Sequence, residues 1–374
     1  MKHPTLFAPL RLGTLGLPNR MVMAPLTRMR ASDGALATSL MADYYGQRAS
    51  AGLIITEGTA ISLQAHGYPA SPGIYTPEQI AAWRSVTSRV HRMQGRIFMQ
   101  IQHNGRGSLP VYNPDGSLPV APSAIPYKGK VYTPGFEPRD PPTPRALESS
   151  EIATLIRTFS QAAANALSAG FDGVEIQAAN GHLIDQFLCD GSNRRTDDYG
   201  GPIANRARFL LDIVDSTIGA IGANRLGVRL SPYGQYGGIS DSDPIALFEH
   251  VLRELSNRNI AYLHLIEARG SEIGITDALH ADAPNNAQFF RRMFSGPMVS
   301  AGAYTPESGA LAVDSGQADA IAFGRLFIAN PDLVTRVQQG ESLNAPDRST
   351  FYGGAARGYT DYPTLRVQPV AAVS

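Results

Sequence analysis

The chain has 374 residues, 43% of them hydrophobic, which is enough for one large domain or two ordinary ones. Its formal net charge is zero and both signs are interspersed, which excludes the basic tract of a nucleic-acid-binding protein and a charged tail. Cys189 is the only cysteine, so no intramolecular disulfide can form.

The chain also lacks the apolar segments that direct a protein to a membrane. The N-terminal sequence MKHPTLFAPLRLG has no apolar signal core, and no stretch approaches the ~20 apolar residues of a membrane span. These features predict a soluble cytoplasmic protein. They leave open whether it is a monomer or a homodimer.

Short apolar runs alternate along the chain with longer amphipathic ones. The predicted strands are 20–24, 52–56, 96–102, 173–177, 226–231, 261–267, 297–301 and 320–324. The predicted helices are 77–94, 148–169, 202–221, 244–257, 306–315 and 331–339. Eight strands alternating with about eight helices predict an α/β fold, a (β/α)8 TIM barrel in a single domain over 1–374.

Residues 103–149 interrupt this alternation. The segment holds ten of the 27 prolines and is too long for an ordinary loop between a strand and a helix. Because it follows the third strand, we predict a cap insertion with a short hairpin over the catalytic face, although a surface loop without function is the alternative. Residues 268–284, after the sixth strand, are expected to shape access to the same face.

Two glycine turns follow the seventh and eighth strands, where TIM barrels often bind phosphate. Gly302 and Gly324 allow backbone N–H groups to approach an anion closely, and Arg325 adds a charged fork. The alternative is that both glycines are ordinary turn residues. Their position in the two expected loops favours a phosphate site.

Polar residues stand on three further strands or at their ends. Thr27, Gln100 and Arg229 would offer a hydroxyl, an amide and a guanidinium to one flat polar ligand at the barrel mouth. A buried arginine needs an anionic or electron-rich partner. A salt bridge to Glu175 or Glu267 is the structural alternative.

The segment FDGVEIQAANGHLIDQFLCDGSNRRTDDYGG runs from a buried strand directly into Gln177, Asn180 and His182. The two amides lie three residues apart across a strand-to-helix junction, so both could donate to one oxygen. His182 can give or take a proton near neutral pH, although a lone histidine is more often structural.

Several chemistries are absent from the sequence. None of the three lysines stands at a strand end, so a Schiff-base aldolase is excluded. The eight histidines show no metal-binding spacing, and neither a G-x-S-x-G elbow nor a phosphate-binding P-loop occurs.

Taken together, these motifs resemble the old yellow enzyme family, the FMN-dependent NAD(P)H ene-reductases. The resemblance runs from LFAPLRLG to FYGGAARGYTDYP, over essentially the whole chain. The family motifs appear in order as MAPLTR, ADYYGQRASAGLIITEG, HGYPASPG, GHLIDQFL, NRRTDDYGG, NRARFLL, AGAYT and AFGR.

The resemblance implies an enzyme that reduces electron-poor alkenes by a ping-pong reaction. NAD(P)H would pass hydride to flavin N5 and leave, and the alkene would then take hydride from N5 in the same pocket. The implied substrates are α,β-unsaturated carbonyl compounds, maleimides and nitroalkenes. The flavin supplies the redox chemistry and the protein positions and polarises.

The resemblance also assigns roles to individual residues. The implied FMN-binding residues are Pro25, Thr27, Gly58, Gln100, Arg229, Gly302, Gly324 and Arg325. Thr27 would bond the flavin O4, and Gln100 and Arg229 would lie at its N1/O2 edge. Tyr68 and Tyr352 would line the mouth of the substrate pocket.

Two positions depart from the family pattern. Where relatives carry His and then His or Asn for the substrate oxygen, this chain has Gln177 and Asn180. A misplaced donor there could cost about a hundredfold in rate. His182 replaces the tyrosine that donates a proton; as an imidazolium it would be the stronger acid, and turnover would then fall above neutral pH.

Two alternatives remain open from the sequence. One is a phosphate-binding barrel isomerase or lyase without flavin, which leaves Thr27, Gln100 and Arg229 without a common purpose. The other is a flavin-binding protein that has lost ene-reduction, for which Gln177 is the reason.

Overall fold

A computed structural model of the protein describes residues 2–268 and 285–365. Eight parallel strands in it form a closed barrel. They are β1 (Met21–Met23), β2 (Leu53–Ile55), β3 (Ile97–Gln102), β4 (Gly173–Gln177), β5 (Leu226–Leu230), β6 (Tyr262–Ile266), β7 (Met298–Ala301) and β8 (Ala320–Phe323). Each strand pairs with the next along the chain, and β8 pairs with β1, so these eight strands close on themselves.

Helices surround the barrel. In the described residues they are α1 (Ser39–Gln47), α2 (Pro77–Arg92), α3 (Ser149–Ser168), α4 (Leu183–Leu188), α5 (Ile203–Ile221), α6 (Pro244–Asn257), α7 (Asn286–Phe290), α8 (Pro306–Asp314), α9 (Arg325–Ala329) and α10 (Leu333–Gln339). Their apolar faces and alternate strand residues form one large buried cluster. This arrangement confirms the predicted (β/α)8 barrel.

The remaining strand residues point into the barrel, because side chains alternate between the two faces of a strand. Near the amino ends of the strands they are apolar, and they pack with Leu12 and Leu17 in a second buried cluster. Those two leucines belong to an antiparallel hairpin, Leu10–Leu12 with Leu15–Leu17, which covers that end. Further along the strands the inward residues become polar, which marks the opposite end as the functional one.

The expected hairpin in 103–149 is present, as Val131–Tyr132 paired with Pro138–Arg139. A second pair, Val120–Ala121 with Arg145–Ala146, joins the interior of the insertion to its last residues. Lys128 donates its backbone N–H to the Gly237 carbonyl at 3.1 Å, which ties the insertion to the loop after β5. Its capping role stays a prediction, and nearly all of the expected access loop, 269–284, lies outside the described residues.

All eight predicted strands and all six predicted helices are present, with ends shifted by at most two residues. The helix predicted at 331–339 begins at Leu333, because residues 330–333 form a turn closed by a bond from the Leu333 N–H to the Asn330 carbonyl. The sequence analysis did not predict α1, α7 or α9, nor did it reveal α4. Every residue of this helix is buried, so it has no polar face and no helical period to detect.

Within the two described ranges, no helix is long and apolar enough to cross a membrane. Over the same residues, no group of three or more His, Cys, Asp or Glu side chains could hold a metal ion.

Gly227 on β5 provides a test of the packing inside the barrel. A Cβ at this position would collide with the ring of Tyr262, which crosses over it from β6. We expect Gly227→Ala to lower the free energy of unfolding by about 1–3 kcal/mol, measured by chemical denaturation, because the core cannot accept the added carbon. Gly219→Ala is the matched control on α5, where a Cβ would meet nothing within 4 Å; equal stabilities of the two variants would contradict the clash.

Candidate active site

A cavity of about 780 Å³ opens where the barrel strands end. The structure brings all thirteen residues singled out in the sequence to its lining. They are Pro25, Thr27, Gly58, Tyr68, Gln100, Gln177, Asn180, His182, Arg229, Gly302, Gly324, Arg325 and Tyr352. Residues from strands on all sides of the barrel therefore face one space.

Arg229 supplies a buried positive charge to this cavity. It is 8% exposed, and within the described residues none of its guanidinium nitrogens has a hydrogen-bond or ion-pair partner; its Nε is fully buried. Burial lowers the pKa of Arg229, whereas the nearby charge of Glu175 raises it. An unpaired buried cation is costly, so this position requires an anionic or electron-rich ligand.

The salt bridge to Glu175 or Glu267 that the sequence left open does not form. Glu175 instead accepts hydrogen bonds from three other side chains, at 2.7–3.0 Å. Glu267 accepts from the backbone of Asn286 at 2.6 Å and from the Ser300 hydroxyl at 2.8 Å. Both carboxylates are thus engaged elsewhere, and Arg229 remains directed at the cavity.

Gln177 and Asn180 present two amides without protein partners. Gln177 ends β4, is 3% exposed, and neither atom of its amide is hydrogen-bonded in the described chain. Asn180 has a positive φ of 54°. Its backbone N–H donates to the Ser231 hydroxyl at 2.9 Å, while its side chain makes no hydrogen bond within the same residues. The turn therefore brings both amides to the cavity with free bonding capacity.

His182 precedes α4 and is 5% exposed. Its Nδ1 lies 3.0 Å from the Ala179 carbonyl oxygen, which can only accept, so Nδ1 carries the ring proton. Its Nε2 is buried and has no partner among the described residues. Burial lowers the pKa of His182 to about 4, and Arg229 acts in the same direction.

These features bear on the expected proton donor, which stays a prediction. With a pKa near 4 the ring is neutral at neutral pH. Its single proton lies on Nδ1, which donates it in a hydrogen bond to the Ala179 carbonyl oxygen. The imidazolium on which the expectation rested is then a minor species. The unprotonated Nε2 offers a lone pair to the cavity, so it can accept a hydrogen bond there but has no proton to donate.

Glycines shape the opposite end of the cavity. Gly302 follows β7 with a φ of 135°, and a Cβ there would lie 2.8 Å from the Cβ of Glu267. Gly324 precedes α9, whose first residue is Arg325. At Gly58 a Cβ would overlap the amide of Gln102. At these positions the main chain itself borders the cavity, as close contact with a ligand requires.

The part of the cavity lined by Tyr352 is held in place by a buried arginine, Arg28, which directly follows Thr27. Arg28 is fully buried and donates to the carbonyl oxygens of Phe351 and Gly358, both at 2.8 Å. Arg30 donates to the Thr350 carbonyl at 3.0 Å. We call this set of bonds the arginine anchor. It holds the segment that carries Tyr352 against the start of the barrel.

Comparison with known proteins identifies the family. A profile of the "NADH:flavin oxidoreductase / NADH oxidase family" matches residues 5–344. The chain is 42% identical over 377 residues to 12-oxophytodienoate reductase 7 of Oryza sativa subsp. japonica, covering 97% of this chain and 95% of the relative. It is 42% identical over 361 residues to a Leishmania infantum protein described as "Probable flavin mononucleotide-dependent alkene reductase", covering 96% of each.

Solved structures agree. Morphinone reductase in complex with tetrahydroNAD superimposes with a TM-score of 0.91 at 46% identity, over 97% of this chain and 98% of that one. The old yellow enzyme homologue from Zymomonas mobilis gives 0.92 at 44% identity, over 97% of this chain and 100% of that one.

The chain belongs to the old yellow enzyme family. It is therefore an FMN-dependent, NAD(P)H-using flavin oxidoreductase and ene-reductase. This assignment removes the flavin-free barrel that the sequence left open.

The residues present fit the flavin of this family. A flat ring with both donor and acceptor edges would meet the unpartnered guanidinium of Arg229 and the amides of Gln177 and Asn180. Gly58 and Gly302 line the same cavity, so their main chain is exposed to a ligand bound there. Unsatisfied buried polar atoms in a native protein call for such a partner.

Sequence reasoning missed the residues that support this old yellow enzyme site without lining it. The arginine anchor is one such group. Another is Glu175, considered from the sequence only as a salt-bridge partner of Arg229, with Tyr262 and His264; all three are fully buried inside the barrel. A signal for the second group was present, since a carboxylate and a histidine are unusual on buried parallel strands.

The state of His182 leads to a testable expectation for alkene reduction. We expect His182→Phe to keep the rate within about threefold of wild type, because the cavity-facing Nε2 of the neutral ring carries no proton and the Nδ1 proton is bonded to the Ala179 carbonyl. For the same reason, the wild-type rate should not fall between about pH 6 and 8, as it would if an imidazolium of ordinary pKa were required. Stopped-flow rates of alkene reduction measure both; a hundredfold loss in the variant would restore His182 as the donor.

Proposed function

We propose that this protein reduces the C=C bond of α,β-unsaturated aldehydes and ketones, maleimides and nitroalkenes with NAD(P)H in a ping-pong reaction. When bound, FMN supplies the hydride chemistry: it takes hydride from NAD(P)H and delivers it to the alkene in alternating half-reactions. The chain supplies the binding, orientation and electrostatics described below.

One observation carries this proposal. A buried guanidinium and a pair of amides, none with a partner in the described part of the chain, line the same cavity from neighbouring strands. In the sheet register, Gln177 lies beside Arg229. The first group suits an electron-rich ring, and the second suits the oxygen of an activated alkene. A cavity that served only one of these ligands would leave the other set unsatisfied.

On the flavin side, Arg229 and Gln100 would hold the pyrimidine edge of the ring. The charge of Arg229 stabilises negative charge that develops there, and it is fixed in place before reaction. Thr27 would donate its hydroxyl to the carbonyl oxygen O4, while Pro25 and Gly58 would contact the ring through their main chain.

The phosphate of FMN would lie at the glycine turns. Gly302 and Gly324 border the cavity closely enough for backbone N–H groups to reach an anion. Arg325 adds a positive charge at the start of α9.

On the substrate side, Gln177 and Asn180 would donate their N–H groups to the carbonyl or nitro oxygen. Both amides are neutral, so they polarise the substrate by hydrogen bonding alone. Tyr68 and Tyr352 would line the mouth. His182 would accept a hydrogen bond beside the alkene, and the proton for the carbon α to the activating group would come from solvent.

An anaerobic titration tests the function. The yellow protein should bleach on addition of NADPH or NADH and regain its colour when N-ethylmaleimide or cyclohexenone is added, with one acceptor consumed per flavin. Mixtures lacking the acceptor are the control. Bleaching without recovery across the panel of acceptors would instead identify a flavoprotein that has lost ene-reduction.

The role of Gln177 can be measured separately. Gln177→Met keeps the side-chain length but removes the N–H donor, so we expect kcat/KM for cyclohexenone to fall about a hundredfold. The bleaching half-reaction should change much less, because the substrate oxygen takes no part in it.

Gln338→Met, an exposed position on α10, is the matched control and should leave both half-reactions unchanged. If Gln177→Met reduces cyclohexenone as fast as wild type, Asn180 alone binds the oxygen and the two-amide site is incorrect.

A further inference from the structure

Inside the barrel, below the cavity, Glu175 on β4 forms a hydrogen-bonded network with one residue of β3 and two residues of β6. One carboxylate oxygen accepts from Gln100 Nε2 at 2.7 Å. The other accepts from the Tyr262 hydroxyl at 3.0 Å and from His264 Nδ1 at 2.8 Å. All four side chains are at most 2% exposed. Neither the sequence nor the family comparison assigns this network a role.

The network keeps Glu175 ionised. Burial would raise its pKa, but the interactions with His264, the charge of Arg229 and the hydrogen bond from Gln100 together lower the pKa below its ordinary value. A buried carboxylate that accepts three hydrogen bonds is satisfied as an anion. Glu175 is therefore a fixed negative charge within the barrel.

Glu175 also determines how the amide of Gln100 is oriented. An ionised carboxylate accepts hydrogen bonds but donates none, so the atom of Gln100 that contacts it must be the NH₂ group. Since Gln100 lines the cavity, the amide oxygen is left to face it. The cavity is thus offered an acceptor at Gln100, beside the cationic donor of Arg229.

Gly227 makes this arrangement sterically feasible. Tyr262 is its neighbour on β6, and its ring occupies the space that a side chain at position 227 would need. The ring thereby crosses β5 and reaches Glu175 on β4. The network depends on residues of four adjacent strands and on one missing side chain.

Glu175 acts on Arg229 through space. No ion pair joins them in the described chain. Even so, the charge of Glu175 is the strongest of the effects that raise the pKa of Arg229, against the larger effect of burial, which lowers it. Part of the positive potential at the cavity is thereby compensated. At such depth this compensation is weakly screened by solvent.

We propose that Glu175 is a positioning residue for FMN: it turns the Gln100 amide oxygen toward the ring and offsets part of the Arg229 charge, which holds the reduction potential of the bound flavin down. This inference rests on the proposed flavin contacts of Gln100 and Arg229. It extends them to a residue that touches neither the flavin nor the substrate.

The test is the midpoint potential of the bound FMN in Glu175→Gln, which removes the charge but keeps the shape. The unopposed Arg229 should stabilise reduced FMN over oxidised FMN by about tenfold more than in wild type. For a two-electron couple this corresponds to about 30 mV of increase. The same potential in the variant and wild type would overturn the proposal.

Glu175→Asp separates the two effects. It keeps the charge but withdraws the carboxylate from Gln100 by one methylene, so we expect the Kd for FMN to rise about tenfold, with a potential close to that of wild type. If Glu175→Gln does not fold, this variant decides the matter, and an unchanged Kd would then refute the proposal.

Glu267→Gln is the matched control, since it neutralises another buried carboxylate that bonds neither Gln100 nor Arg229. Its potential should stay near that of wild type; a rise equal to that in Glu175→Gln would show a general effect of buried charge and overturn the specific one. Loss of the proposed function is distinguishable, because there wild type itself would bleach without reducing acceptors.

Discussion

A positive charge that is held inside the barrel, and that has no partner among residues 2–268 and 285–365, is the constraint on which the site depends. The side chain of Arg229 is buried and directed at the cavity. Glu175 and Glu267, the two carboxylates that could have paired with it, are hydrogen-bonded to other groups. Such a charge is costly in an empty cavity and favourable beside an electron-rich ring. We expect FMN bound in this cavity to supply that electron-rich partner and thereby to stabilise this end of the barrel.

The two ends of the barrel interior differ in composition: one is apolar and contributes to stability, and the other is polar and lines the cavity. Near the amino ends of the strands the inward residues pack with Leu12 and Leu17 in a closed apolar cluster. Towards the carboxyl ends they become Gln100, Glu175 and Arg229, and their polar groups are bonded to one another or directed at the cavity. Stability and chemistry are thus separated along the barrel axis.

The sequence predicted the barrel well because the parallel strands are continuous apolar runs separated by clear helical patterns. It also located Gln177, Asn180 and His182, since they cluster where a strand ends and packing gives no reason for polar side chains. Pro25, Gly58, Tyr68 and Tyr352 were assigned only through the family resemblance. It could not show that α4 is a helix, because a fully buried segment has no period. Nor could it give the state of His182, which follows from burial and from one carbonyl oxygen at Ala179.

The arginine anchor has a consequence for how this protein can diversify. Arg28 and Arg30 donate hydrogen bonds to backbone carbonyl oxygens in the segment from Thr350 to Gly358. Every residue type has a backbone carbonyl oxygen, so these bonds do not depend on the side chains of the segment. Side chains in that segment, Tyr352 among them, can accordingly be exchanged without loosening its attachment. Substitutions in this segment could therefore change which molecules fit the pocket without altering the residues deeper in the barrel.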